Sequence, residues 1–432
     1  MRQIADFHIH SRYSRACSRD LTLQNIEKTC RTKGLDIIGT GDFTYPLWFE
    51  SIKNDLEEIK LIHSGKEGDR RDSGLYKLKS ALNSQIKFIL TTEVALIYKK
   101  GERTRRIHIV IHAPNVLAVA ELNKYLDKNY NIRSDGRPIL GMSVPELCRL
   151  CFSVDPGFII YPAHIWTPWF SVFGSKSGFD SMEECFEEYT DKIVAYETGL
   201  SSDPEMNWRV SALDYLTLLS NSDAHSLPNL GREANVFEFA GEVSYDSLYN
   251  AIANKKPDQD NKLLYTIEFY PEEGMYHWDG HRDCGVRFSP AETKKNKGIC
   301  PKCKKNVVIG VDYRVDELAD RAIGYKGSGR PGFKKIVELD KIIAEALNIK
   351  SRKSVKVLSV YSELLNDLQT TELDVLMNVS IEKIKEVSSD KIAEGVRRVR
   401  EGELIVEPGY DGEYGVVKIF KEREKDIQKK LF

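Results

Sequence analysis

The stretch Ile4-Ala5-Asp6-Phe7-His8-Ile9-His10-Ser11 reads as a strand that runs straight into potential metal ligands. Alternate residues of a strand share a face, so His8 and His10 point the same way, as two ligands of one ion must. Outward from it, the chain to about residue 240 alternates short β-branched or apolar runs with longer amphipathic segments. That is the βα pattern of a parallel sheet or barrel. Strands are predicted at 4–9, 36–40, 87–91, 107–111, 157–161, 192–196 and 216–219, with helices between them, such as 23–33 and 144–151. Each strand opens onto polar residues: His8 and His10, Asp42, Glu93, His108 to His112, His164, Glu197, and Asp223 with His225. In a (β/α) barrel the C-terminal strand ends face one rim, where these scattered groups should converge.

At 432 residues the chain exceeds one ordinary core. The predicted division is a catalytic barrel at 1–255, a zinc-binding module at 262–312, a helical domain at 313–400, and a strand-like segment with a charged tail at 401–432. Hydrophobic residues at 41% and charged residues at 30% are ordinary for a globular protein and exclude long disorder. A formal net charge of -2 excludes a globally basic nucleic-acid binder and leaves only local patches. Three exist: Lys99, Lys100, Arg103, Arg105 and Arg106; Lys302 to Lys305; and Lys326 to Lys335. Solvated surface charge is the plain alternative for any one of them. The N-terminus lacks an apolar leader core and no run of about 18 apolar residues occurs, so a cytoplasmic location and no membrane partner are expected. The eight cysteines do not form the dense framework of a secreted domain.

A strand-end His-x-His, a Glu and an Asp-x-His suit Zn²⁺ or Mn²⁺, because imidazole is borderline-soft and carboxylates can bridge two ions. Two such ions activate water and neutralise the charge that develops in phosphodiester hydrolysis. A lone histidine is ordinarily a surface or satisfied core residue, but five of the nine histidines belong to this one pattern. Beyond the barrel, His281-x2-Cys284 and Cys300-x2-Cys303 have the spacing of one closed, structural zinc site, with His277 a competitor for His281. Cys148 and Cys151 share an apolar helix and read as core.

FHIHS, TTEVAL, RRIHIVIHAPN, YPAHIW and NSDAHS resemble the motifs of the PHP (polymerase and histidinol phosphatase) superfamily, a distorted seven-stranded metallo-barrel, over about residues 1–245. The resemblance implies His8, His10, Glu93 and Asp223 around one metal, Glu93, His108 and His164 around a second, and His225 completing the cluster. Asp223, Glu93 and His225 are the implied catalytic residues. Two departures stand out: Gly41-Asp42-Phe43 replaces the usual Thr-Asp-His, and no further histidine follows His10 within a turn. Two metal sites are therefore expected, with Asp42 a substitute ligand.

The whole chain resembles the endonuclease Q family through 161–181, 196–209, the HRDC and CPKC pairs, GYKGSGRPGFKK at 324–335 and EPGYDGEYG at 407–415. That resemblance implies a DNA-repair endonuclease cutting double-stranded DNA 5′ to a deaminated base (hypoxanthine, uracil, xanthine) or an abasic site, leaving 3′-hydroxyl and 5′-phosphate ends. Zn²⁺ is the implied metal, with Mg²⁺ or Mn²⁺ supporting catalysis. Trp166, Trp169 and Phe170, just past His164, are candidates to hold an extruded base, or simply rim packing. Arg12 and Arg15 beside His10 are candidate phosphate clamps, as are Lys326 and Arg330 in the Gly-rich loop, which also reads as a plain linker. The tail Gln428-Lys-Lys-Leu431-Phe432 resembles an abbreviated sliding-clamp motif. The rival functions are a small-molecule phosphoesterase and a non-catalytic DNA-binding module associated with a helicase.

Overall fold

The computed structural model describes residues 1–62, 70–81, 83–253 and 261–421. In chain order its first thirteen strands are β1 (Arg2–Asp6), β2 (Ile37–Gly39), β3 (Leu56–Ile62), β4 (Arg70–Leu78), β5 (Lys87–Ile89), β6 (Thr91–Lys100), β7 (Arg103–His112), β8 (Ile139–Leu140), β9 (Ile159–Pro162), β10 (Ala195–Glu197), β11 (Thr217–Leu219), β12 (Ala234–Phe239) and β13 (Asn261–Glu268). The seven predicted strands correspond to β1, β2, β5, β7, β9, β10 and β11, and they form a ring.

β1, β2 and β5 pair in parallel. A hydrogen bond from Ala113 N to Leu90 O (2.9 Å) carries the wall to β7, which pairs with β9. Ile165 N to Glu197 O (3.1 Å) joins β9 to β10, and β10 pairs with β11. A bridge between Ile9 and Ala224 returns the wall to β1. Phe7, Ile37, Ile89, Val110, Tyr161, Ala195 and Leu219, one from each wall strand or its end, pack into a single apolar cluster. The fold is α/β, a distorted barrel with a helical C-terminal region.

One wall strand departs from the parallel expectation. β7 pairs antiparallel with both β6 and β9, because β6 and β7 form a hairpin turning at Gly101-Glu102. Hydrophobic alternation reveals a strand's period but not its direction. His108 therefore reaches the rim from the middle of β7. His112 lies at the opposite end, its Nε2 3.0 Å from the Tyr161 hydroxyl and its ring against Phe7.

A second difference lies at 261–268, placed beyond the barrel by sequence. As β13 this segment pairs antiparallel with β12, which itself lies beside β1. Part of the Gly-rich stretch, β16 (Gly332–Lys335), then pairs in parallel with β13. Between them stands a ribbon of β14 (Asp279–His281) and β15 (Val286–Phe288).

The helices Leu23–Lys33 and Val144–Val154 cover the barrel; the first is capped by Thr22, the second by a reciprocal Ser143–Glu146 box. A C-terminal group runs Leu339–Ala346, Val355–Leu368, Glu372–Met377, Ile381–Val387 and Asp390–Glu401. The ion pair of Lys33 with Glu372 (3.2 Å), both buried, ties that group to the barrel. Among the described residues no helix is long and apolar enough to cross a membrane.

Candidate metal centre

Donor atoms of His8, His10, Glu93 and Asp223 lie within 4.8 Å of one another, and so do those of Glu93, His108 and His164. Glu93, fully buried, belongs to both groups. Its Oε1 is 2.7 Å from His108 Nδ1 and 3.1 Å from His164 Nε2, while its Oε2 is 3.4 Å from His10 Nε2. His8 Nε2 is buried with no hydrogen-bond partner among the described residues, 3.7 Å from both Glu93 Oε1 and Asp223 Oδ1. A buried polar atom left unpaired is costly, and an imidazole lone pair beside two carboxylates is what a divalent ion satisfies. The residues fit a metal centre.

The remaining nitrogens are held from behind. Glu197 lies 3.0 and 3.1 Å from His8 Nδ1 and accepts a further bond from Asn221 (2.9 Å). Asp42 takes the same position behind His10 Nδ1 (3.1 Å), and its second oxygen accepts from Ser11 N (2.7 Å), Ser11 Oγ (2.6 Å) and Ser14 Oγ (2.8 Å). A partner on the far nitrogen fixes the tautomer and aims the other lone pair. Asp42 is thus saturated and orients His10, standing outside both donor groups instead of acting as a substitute ligand.

The rim stores backbone strain where it aims side chains. Asp42, His164 and Asp223 sit at φ of 46°, 28° and 45°, a left-handed region few such residues adopt. Gly199, at φ 63°, packs so closely on His164 that any side chain there would collide with its Cβ.

Burial opposes charge on Asp223, yet the hydrogen bond with His10 and the nearby His8 and His225 hold its carboxyl well below the ordinary range. Against the same opposition, His108 and Arg137 hold Glu93 well below its usual value. Arg137 is a residue the sequence pattern misses: its Nη1 is 3.0 Å from Glu93 Oε2, with the side chain 25% exposed. It follows Gly136 in a turn between a helix and β8, where an arginine looks like any surface residue. His225 also stands outside both donor groups. Its Nδ1 is 2.8 Å from the Asp223 carbonyl oxygen and its ring centre 4.6 Å from that of His10.

Solved structures share the fold that holds these residues. The crystal structure of the lesion-specific endonuclease PfuEndoQ from Pyrococcus furiosus superposes with a TM-score of 0.82 at 30% identity, covering 99% of each chain. The chain belongs to the endonuclease Q family. A complex of endonuclease Q with a 27-mer duplex substrate bearing an abasic lesion at the active site matches with a TM-score of 0.81, also at 30% identity and over 98% of each chain. The uncharacterized protein YqxK of Bacillus subtilis is 28% identical over 429 residues, 96% of this chain and 98% of its own. The uncharacterized protein MJ0043 of Methanocaldococcus jannaschii is 33% identical over 254 residues, 58% of this chain but only 31% of that protein. Residues 338–403 match the family model of the MJ0043 C-terminal domain. Membership in the endonuclease Q family makes the chain a metal-dependent endodeoxyribonuclease.

In this endonuclease Q chain a second cluster brings His281, Cys284, Cys300 and Cys303 together, all four donor atoms within 4.8 Å of one another. His281 Nε2 lies 3.7 Å from Cys303 Sγ. His277 lies outside the cluster, buried near Asp312. Cys148 and Cys151 are buried in the main apolar core.

The predicted DNA-contacting residues divide. Arg12, Arg15 and Lys326 are exposed. Trp169 is 38% exposed and packs edge-on against Tyr276, and Phe170 lies 4.6 Å from His108, ring centre to ring centre. Trp166 is only 1% exposed, donates to Asn207 (2.8 Å) and packs on Phe173, so it is core and unavailable to a base. Arg330 is ion-paired with Asp214, its charge engaged within the protein. Gln428 to Phe432 lie outside the described residues.

Proposed function

We propose that this chain is a DNA-repair endonuclease that hydrolyses the phosphodiester bond 5′ to a deaminated base or an abasic site in duplex DNA. The products are a 3′-hydroxyl and a 5′-phosphate, and the catalytic centre uses two divalent ions. The observation that carries this reading is Glu93, one buried carboxylate shared by both donor groups. The endonuclease Q complex with an abasic-lesion duplex supports DNA as the substrate.

Divalent ions held by these donors would supply positive charge to the reacting phosphate and acidify water at neutral pH. The chain's own groups do the rest. His8, His10 and Asp223 define one half of the site and His108 with His164 the other, with Glu93 fixing the spacing. Arg137, partly exposed beside Glu93, is placed to donate to a non-bridging phosphate oxygen. With Nδ1 turned to the Asp223 carbonyl, His225 keeps Nε2 as a proton acceptor at the mouth of the site. The Cys3His cluster is assigned a structural Zn²⁺, since four protein ligands leave no open position.

End-labelled duplexes containing uracil, hypoxanthine or an abasic site, incubated with the protein and Mg²⁺, Mn²⁺ or Zn²⁺, test the reading directly. A cut mapped to the 5′ side of the lesion is expected. Hydrolysis of phosphomonoesters without any cleavage of DNA would overturn it.

A further inference from the structure

The β6–β7 ladder runs without a break from Thr91 opposite His112 to Lys100 opposite Arg103. Residues directly opposite share a face of the ribbon, and the face alternates at each step. Glu93, Ala95, Ile97 and Lys99 therefore share one face with Val110, His108, Arg106 and Thr104. Glu93 and His108 are metal-site donors. Beyond them, that face continues outward as Arg106 and then Lys99, both exposed.

The far face engages two of its three cations, Arg103 at the hairpin tip being as exposed as the cations of the metal-site face. On the far face Lys100 pairs with Glu187 (2.6 Å), and Arg105 lies 4.0 Å over the Phe179 ring while donating to the Gly178 carbonyl. On the metal-site face neither Lys99 nor Arg106 has a side-chain partner among the described residues. Arg106 lies opposite Ile97 and diagonal to Lys99, so the two cations stand side by side on this face. Neither cation is engaged by the described residues, and both are open to a polyanion.

We infer that this face is a track for the phosphodiester backbone of one DNA strand leaving the metal centre. Arg106 and Lys99 take phosphates about 7 and 14 Å from His108, at about 3.4 Å of rise per residue. The inference rests on the proposed DNA-cleaving function and adds the direction in which the strand runs.

The test uses Lys99→Gln and Arg106→Gln, singly and together, with Arg103→Gln from the opposite face as control. Binding of an abasic duplex is measured over a salt series in an Asp223→Asn background, where the DNA stays uncut. The slope of log K against log salt should flatten by about 0.9 for each phosphate no longer neutralised, and the control should leave it unchanged. In the otherwise intact enzyme the double variant should raise KM for duplex DNA but hydrolyse bis(p-nitrophenyl) phosphate, which has no second phosphate for Arg106 or Lys99, as before. An unchanged slope in the double variant, or an equal change in the Arg103→Gln control, overturns the track. Failure of the unsubstituted enzyme to cut any duplex defeats the underlying function instead.

Discussion

Glu197 holds His8 from behind: both carboxylate oxygens lie 3.0–3.1 Å from Nδ1, so Nε2 is the only nitrogen of that ring turned toward Glu93 and Asp223. Such partners of metal-bound histidines are worth roughly 10–100-fold in metal affinity. Glu197→Gln should therefore weaken catalytic-metal binding by about that factor. Metal titration of the dialysed protein measures it, and an affinity equal to the parent's would remove Glu197 from this role.

Asp223 combines a strained φ of 45° with a carboxyl 3.0 Å from His10 Nε2 and 3.7 Å from His8 Nε2. Asp223→Asn keeps the shape and removes the charge. Cleavage should be abolished while duplex affinity persists, because the substitution leaves the surrounding surface intact. Gel-based cleavage and fluorescence binding on the same protein separate the two, and retained cleavage would reject the assignment.

Much of this is legible in the sequence, for a physical reason. Strand alternation puts His8 and His10 on one face, and closure of the ring brings Glu93, His108, His164 and Asp223 to them. Direction is not legible, since the same alternation fits β7 running either way; hence His112 falls at the far end. Arg137 escapes notice because a turn arginine carries no periodic signal. Trp166 looks available to a base since aromatic residues in a loop do not announce burial; only packing against Phe173 decides it.

The Cys3His cluster contains two short Cys-containing turns held by very little apolar core: Val286, Cys300 and Val307 are its buried members. The zinc proposed there would supply folding energy to such a module. Cys300→Ser should lose one zinc per chain and cost about 4 kcal/mol or more of local stability. Elemental analysis and thermal unfolding check it, and full zinc content in the variant would count against the site.

Glu233 and Glu268 sit one step beyond the paired residues Ala234 and Ile267 at the start of β12 and the end of β13, and both are buried. Burial, then the neighbouring Glu268, pushes Glu233 well above the usual carboxyl range; burial foremost pushes Glu268 up to about 8 from 4.5. The folded chain therefore holds a proton that the unfolded chain releases between about pH 4.5 and 8. Stability supplied by that proton is full below the unfolded value and is lost as pH rises toward 8. Glu268→Gln is neutral throughout and should flatten this decline, making the variant more stable than the parent at alkaline pH by on the order of a few kcal/mol. Urea midpoints at mildly acidic and mildly alkaline pH measure the difference. Parallel declines in parent and variant would mean that Glu268 is already ionised across the window and that another group sets the slope.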